Sequence, residues 1–343
     1  MVYSVSYRVS AISSFWSIHK AIRDGDFDTM KELLQADPSL LTEPNSIGWT
    51  ALHFCAASPE ISLETWKWVL QRVPPGVDLL TLRTDNGQNC VDHFFRLFLN
   101  PLEWQRHEVK DAAKDLKASI LLCLENDHHL RLLQQCVADD NADICDQSLN
   151  RILMFWRRLQ VLMQKLSTCV VHALARTACP REVALLAMGL YPGGKLERDS
   201  SGCLPLHVAC RYEGAETIME CLRDQASVMD ADGRLPLHIA LLSGKTWHHG
   251  IASLWNACPQ YGGLRDNKVG LPAFLLAALP DSAVVQRATK RLAADTCGSL
   301  WRFMPFASQN RALQDAKVSI ELQHLSTVYQ VLRAAPNVLS CCQ

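Results

Sequence analysis

Apolar positions along the chain recur at the three-to-four spacing of amphipathic helices, in short segments separated by polar breaks. Asp28-Thr-Met-Lys-Glu-Leu-Leu34 is one such segment; Ala215-Glu-Thr-Ile-Met-Glu-Cys-Leu222 is another, with Ile218, Met219 and Leu222 on one face. Longer helices are expected near 102–125 and 127–138 and from Leu149 to about Leu166, with a polar loop from Asp139 to Gln147. Near the C-terminus, Leu322, Leu325, Tyr329 and Leu332 share a helical face. The longest apolar run, about Ala273 to Leu279, falls far short of the 18 or so residues that span a bilayer.

The helical segments repeat. Gly48-Trp-Thr-Ala-Leu-His-Phe-Cys-Ala56, Gly202-Cys-Leu-Pro-Leu-His-Val-Ala-Cys210 and Gly233-Arg-Leu-Pro-Leu-His-Ile-Ala-Leu241 share one pattern. Gly87-Gln-Asn-Cys-Val-Asp92 and the run from Gly270 to Ala278 keep the glycine spacing without the histidine. Trp16-Ser-Ile-His-Lys-Ala21 and Cys169-Val-Val-His-Ala-Leu-Ala175 keep the histidine without the glycine. The marker position falls at His19, His53, Asp92, His172, His207, His238 and Leu275, at intervals of 34, 39, 80, 35, 31 and 37. Five of the six lie near one period and the sixth is about twice it. Pro205 and Pro236 suit helix starts, where a missing N–H costs nothing. Gly25, Gly214 and Gly244 stand where each first helix must end, and Asp199, Asp230 and Asp266 open the turn before the next motif.

These motifs resemble the ankyrin repeat, a unit of about 33 residues made of a turn, two antiparallel helices and a projecting loop, with T-P-L-H-x-A opening the first helix. The L-P-L-H form is similar to divergent ankyrin proteins expanded in unicellular algae. Thr stands at its motif position only at Thr50; Leu204, Leu235 and Pro272 replace it elsewhere, so the Thr–His hydrogen bond is not expected in most units. The resemblance implies an all-α ankyrin-type helical solenoid with a helical C-terminal cap. Its parts are N-terminal repeats over 1–99, a degenerate repeat or inserted hairpin over 100–167, C-terminal repeats over 168–297 and a cap over 298–343. Each helix pair is too small to bury its own apolar face, so neighbours must stack and the last one must be covered.

Composition narrows the function classes. With 48% hydrophobic and 20% charged residues the 343-residue chain is not disordered. Lys plus Arg (34) against Asp plus Glu (35) leaves a net charge of -1, which supplies no field for nucleic acid. The 14 cysteines form no C-x-x-C, and most stand in apolar runs, as reduced core thiols would. The expectation is an intracellular protein, cytoplasmic or nuclear, without a membrane span. Cys341-Cys342-Gln343 is no C-a-a-X box, and modification of that cysteine pair is left open.

Several hints of chemistry fail on spacing. Ser243-Gly-Lys-Thr246 lacks the earlier glycine of a P-loop, so Lys245 reads as a solvated residue after a helix. Asp230-Ala-Asp-Gly233 lacks the bidentate Glu of a calcium loop. His128-His129 and His248-His249 lack a third ligand at helical spacing, so no metal and no cofactor is expected. A catalytic base needs one special neighbourhood; His19, His53, His172, His207 and His238 have five equivalent ones, so they read as structural. Arg157-Arg158 reads as a solvated helix face, and Trp66 and Trp68 as a helix buried on both sides.

The resemblance implies protein–protein recognition without catalysis. The partner-contacting positions it suggests are Trp49, Asp85, Gln88, Asp232, Arg234 and Lys268 at turns, with Arg211 and Tyr212 beyond a first helix. Among them Trp49, Arg211, Tyr212 and Arg234 rank first, because Trp, Tyr and Arg anchor interfaces most often. The protein is expected to be monomeric, with a partner of unspecified identity. The competing reading is an enzyme or regulatory subunit with its site in 100–167. The repeat itself rests on Gly48, Gly87, Gly202, Gly233 and Gly270 together with the marker residues.

Overall fold

Polar side chains at the helix starts fix where the short helices begin. Asp26 accepts the main-chain N–H of Thr29 at 3.1 Å, Ser62 that of Thr65 at 3.1 Å, and Asp146 those of Ser148 and Leu149 at 2.8 and 2.9 Å. Each satisfies donors that a helix N-terminus leaves without intrahelical partners. Pro205 and Pro236 occupy the first turn of their helices. A computed structural model describes residues 18–45, 48–58, 61–85, 88–95, 107–139, 142, 144–166, 169–278 and 306–334. Among them the regular elements are helices, with isolated bridges at Arg83–Asn89 and Arg265–Pro272. The chain divides into two compact units, Met1–Thr168 and Cys169–Gln343.

The first unit contains α1 (18–24), α2 (Phe27–Ala36), α3 (Ala51–Ala57), α4 (Leu63–Gln71) and α5 (Cys90–Phe94). Three longer helices follow: α6 (His107–Leu124), α7 (Asp127–Ala138) and α8 (Gln147–Lys165). Helix α3 packs on α5 and α4 lies against α8, while α6, α7 and α8 pack on one another. Trp66, Phe94, Phe95 and Trp156 are fully buried in this unit. The Trp66 indole N–H donates to the Arg158 carbonyl at 3.0 Å, joining α4 to α8. Trp68 is half-buried beneath Arg72, whose guanidinium lies 3.5 Å from its ring centroid, so α4 is enclosed on one side only.

Arg157 and Arg158 are not solvated, contrary to the sequence reading. Arg157 is 5% exposed and donates to the carbonyls of Cys136, Asp139 and Ala142, at the end of α7 and just beyond it. Helix C-termini present carbonyls without partners, and the buried guanidinium meets those of Cys136 and Asp139 together with the loop carbonyl of Ala142. Arg158 donates to the Ser58 carbonyl at 2.8 Å and lies over the Phe94 ring. Sequence charge alone does not reveal which basic residues are spent on the main chain.

The second unit stacks α9 (Val170–Leu174), α10 (Arg181–Leu190), α11 (Pro205–Arg211), α12 (Glu216–Cys221), α13 (Pro236–Leu242), α14 (Ala252–Ala257) and α15 (Ala273–Ala278). The first helices α9, α11, α13 and α15 pack in one row, and the second helices α10, α12 and α14 in another. Leu206 and Leu237 hold equivalent places in that stack and both are buried. Lys245, expected in solvent, is buried as well. Its ammonium donates to the Tyr212 carbonyl at 2.7 Å and to Glu216 at 2.6 Å, tying one repeat to the one before it. Glu216 is desolvated, yet Lys245 holds its carboxyl below the usual range.

The long helix α16 (Phe306–Ala334) covers the end of this stack, packing on α15 and on the loosened turn Trp247–Ile251. Gly250 there adopts φ 107°, and the Trp247 N–H donates to Thr327 Oγ1 at 2.8 Å. The packed face differs from the expected one. Ala316, Ile320, His324, Thr327 and Val331 are buried, whereas Leu322, Leu325 and Tyr329 face outward. The helix therefore has a buried mixed face and a separate exposed apolar stripe.

Candidate functional site

The motif aspartates and glycines build one recurrent turn. At Asp199, Asp230 and Asn45 the residue's N–H donates to the carbonyl four positions on, and the glycine N–H three positions on donates back. The corresponding pairs are Asp199 with Cys203 and Gly202, Asp230 with Arg234 and Gly233, and Asn45 with Trp49 and Gly48. Thr84 and Gln88 close a turn of the same span, with Gly87 outside the described residues. The turn at Asp266 is one residue longer and closes on Gly270 and Leu271. Side-chain oxygens complete each: Asp199 accepts from Ser201 and Cys203, Asp230 from Asp232 and Arg234, and Asp266 from Lys268 and Val269.

Successive turns of the second unit touch. Gly202 and Gly233 have φ of 72°, and a Cβ on either would stand 2.5 Å from Ala231 or from the Asn267 amide. Glycine is required twice over there, for left-handed backbone and for close approach. Arg198 donates to the Met229 carbonyl and Asn267 to that of Asp232, so neighbouring turns are also hydrogen-bonded. The result is a ladder of tips held rigid by its own main chain.

The marker residues anchor this ladder to the helices. His53 Nε2 lies 3.1 Å from the Leu82 carbonyl, His172 Nε2 3.0 Å from that of Cys203, and His238 Nε2 3.0 Å from that of Leu264. A carbonyl only accepts, so Nε2 carries the proton and Nδ1 is free to accept. Nδ1 of His53 takes the Thr50 N–H at 3.1 Å, and Nδ1 of His207 takes the Leu204 N–H at 3.2 Å. At His53 and His207 the ring thus caps its own helix, with a threonine at the helix start in the first and a leucine in the second. Asp92 does the same at α5 with a carboxylate, accepting the Asn89 N–H at 2.9 Å. His19 is buried with its ring edge-on to Phe54. Burial pushes His53 and His207 down to about 4, and lowers His238 too.

The residues ranked first as anchors fare differently. Arg234 is bound bidentately to Asp230 and to Asp232 at 2.9 and 3.0 Å, and its side chain is 13% exposed. It braces its turn through these ion pairs. Burial would raise the Asp230 carboxyl, but the Arg234 N–H and guanidinium outweigh it and hold it low. Trp49 is half-buried, 4.2 Å from His93 and 4.9 Å from Phe54 between ring centroids, so its indole is folded onto the stack. Tyr212 is half-buried and its hydroxyl accepts from Arg176 at 3.2 Å. Arg211 is exposed, with one N–H directed to Cys203 Sγ. Asp85, Asp232 and Lys268 are exposed at their turns and Gln88 is half-buried.

Sequence reasoning missed the apolar side chains on the loops that lead into the tips. Leu196 precedes the Asp199 turn, Met229 the Asp230 turn and Leu264 the Asp266 turn, and Val269 lies within the last; all four are exposed. The signal was available in the recurrence of a large apolar residue one to three positions before each turn aspartate. Among the described residues, no group of three His, Cys, Asp or Glu side chains could hold a metal ion. No described helix is long and apolar enough to cross a membrane. The described helices over 107–165 meet around Leu133, Ile152, Leu153, Trp156, Leu159 and Met163, all buried.

Comparison with protein families gives a match to ankyrin repeats (many copies) over residues 18–58. No curated protein matches the chain. The matched segment covers α1, α2 and α3, including the His53 motif whose geometry recurs at His207. Ankyrin repeats are protein-interaction modules. The match, the stacked helix pairs and the turns of one design agree: the chain carries ankyrin repeats.

Proposed function

We propose that the protein is a non-catalytic adaptor or scaffold that binds a protein partner along the turn tips of its second unit. The observation that carries this is the rigid ladder from Asp199 to Gly270 flanked by exposed Leu196, Met229, Leu264 and Val269. Apolar side chains held in water on a preorganised frame lose little entropy on binding and gain burial. Asp232 and Lys268 stand exposed beside them and supply charges of both signs for orientation. A near-zero net charge supports a protein ligand over nucleic acid. The apolar packing within 107–165 supports the adaptor reading over an enzyme site in that segment.

The test begins with affinity capture of partners from the native cell, followed by single alanine variants of Leu196, Met229, Leu264 and Val269. At least two should weaken the captured partner by more than about 1 kcal/mol, a hot-spot effect. Unchanged affinity in all four would defeat the proposal, and a turnover activity that maps to 107–165 would replace it.

A further inference from the structure

We propose that the outer face of α16 is a self-association surface on which the same helix of a second copy lies antiparallel. Val318, Leu322, Leu325 and Tyr329 are 54%, 60%, 65% and 60% exposed. They follow one another at steps of four, three and four, the spacing of a two-helix seam. The inward face of the helix is already committed, because Ala316, Ile320, Thr327 and Val331 are buried. The outer stripe therefore adds nothing to the cap. It is also remote in kind from the turn tips, being one helix face with no loop contribution.

The order of residues along the stripe selects the occupant. It runs Asp315, Val318, Leu322, Leu325, Tyr329, Arg333, with both end charges exposed. A reversed copy sets Leu322 against Leu325, Val318 against Tyr329 and Asp315 against Leu332, with Arg333 the next residue along, and a two-fold axis makes each pairing twice. That is the self-complementarity an isologous interface needs, a small residue facing a large one and an acid next to a base. A copy running in the same direction would instead place Asp315 on Asp315 at a seam position, which like charge opposes. The net charge of -1 leaves little long-range repulsion between copies. The apolar stripe spans about 17 Å of helix, so the dimer should be reversible. This departs from the monomer expected from sequence.

Sedimentation velocity on the full chain over two decades of micromolar concentration should show a monomer–dimer equilibrium. Leu325→Glu should stay monomeric throughout, with an unchanged melting temperature because the site is exposed. Asp315→Arg should raise the dimer dissociation constant roughly tenfold or more, and combining it with Arg333→Asp should restore it. A wild type monomeric at every concentration overturns the proposal, as does a dimer indifferent to Leu325→Glu. A monomer in which Tyr329 is nevertheless shielded from a tyrosine-modifying reagent also overturns it, by assigning the stripe to another segment of the same chain. Failure of the double charge exchange overturns the antiparallel arrangement.

Discussion

His53 donates from Nε2 to the Leu82 carbonyl, 3.1 Å away and 29 positions along the chain, while its Nδ1 accepts the Thr50 N–H. One neutral ring thereby caps a helix and fastens the loop leading to the next turn. His53→Ala leaves a buried donor without its partner and frees the loop, and should cost roughly 1–3 kcal/mol in chemical denaturation. His128→Ala, at an exposed position, should stay within about 0.5 kcal/mol. Equal effects at the two sites would remove the structural role assigned to the marker histidine.

The same burial makes stability depend on pH. His53 and His207 are pushed from the ordinary 6.5 to about 4 by desolvation. The unfolded chain takes up these protons first, so stability is complete above about pH 6.5 and falls as pH drops toward about 4. Thermal midpoints measured across that window should decline steadily on the acid side. A flat profile between pH 7 and about 4.5 contradicts the neutral, buried state of both rings.

Leu206 and Leu237 occupy matching positions between neighbouring repeats. Truncating either to Ala should cost roughly 2–5 kcal/mol, from lost burial plus the cavity left behind. Losses below about 0.5 kcal/mol at both, read from denaturant midpoints, would mean that the repeat register is wrong.

Thiol reactivity should divide by burial. Cys55, Cys90 and Cys210 are buried, and desolvation pushes each up to about 12, which leaves almost no thiolate near neutral pH. Cys145 is exposed. Mass spectrometry after brief alkylation of the native protein should find Cys145 modified and those three intact until denaturant is added. Early modification of Cys210 would contradict the packing of α11.

The repeat was legible because its constraints are local. A turn aspartate, a left-handed glycine, a helix-starting proline and a histidine each act within a few residues, so Asp230, Gly233, Pro236 and His238 announce their roles in order. The long helices were legible from period alone, and the expected spans near 127–138 and 149–166 differ little from α7 and α8. What escaped was decided across distance. Arg157 finds its carbonyls 15 to 21 positions away, and Lys245 finds Glu216 29 positions back. The face of α16 that packs inward depended on what α15 offered it, and the sequence showed an apolar stripe without saying which neighbour it met. Arg234 is a local case: Asp230 and Asp232, four and two positions before it, engage its guanidinium within its own turn, a pairing that residue type alone does not announce.

The central claim is that recognition lies on the turn ladder of the second unit. Amide hydrogen exchange on the free protein and on its complex with the captured partner tests it most directly. Added protection should concentrate in 196–203, 229–234 and 264–270, with the helices little changed. Protection confined to 107–165, with those three segments exchanging as in the free protein, would contradict it.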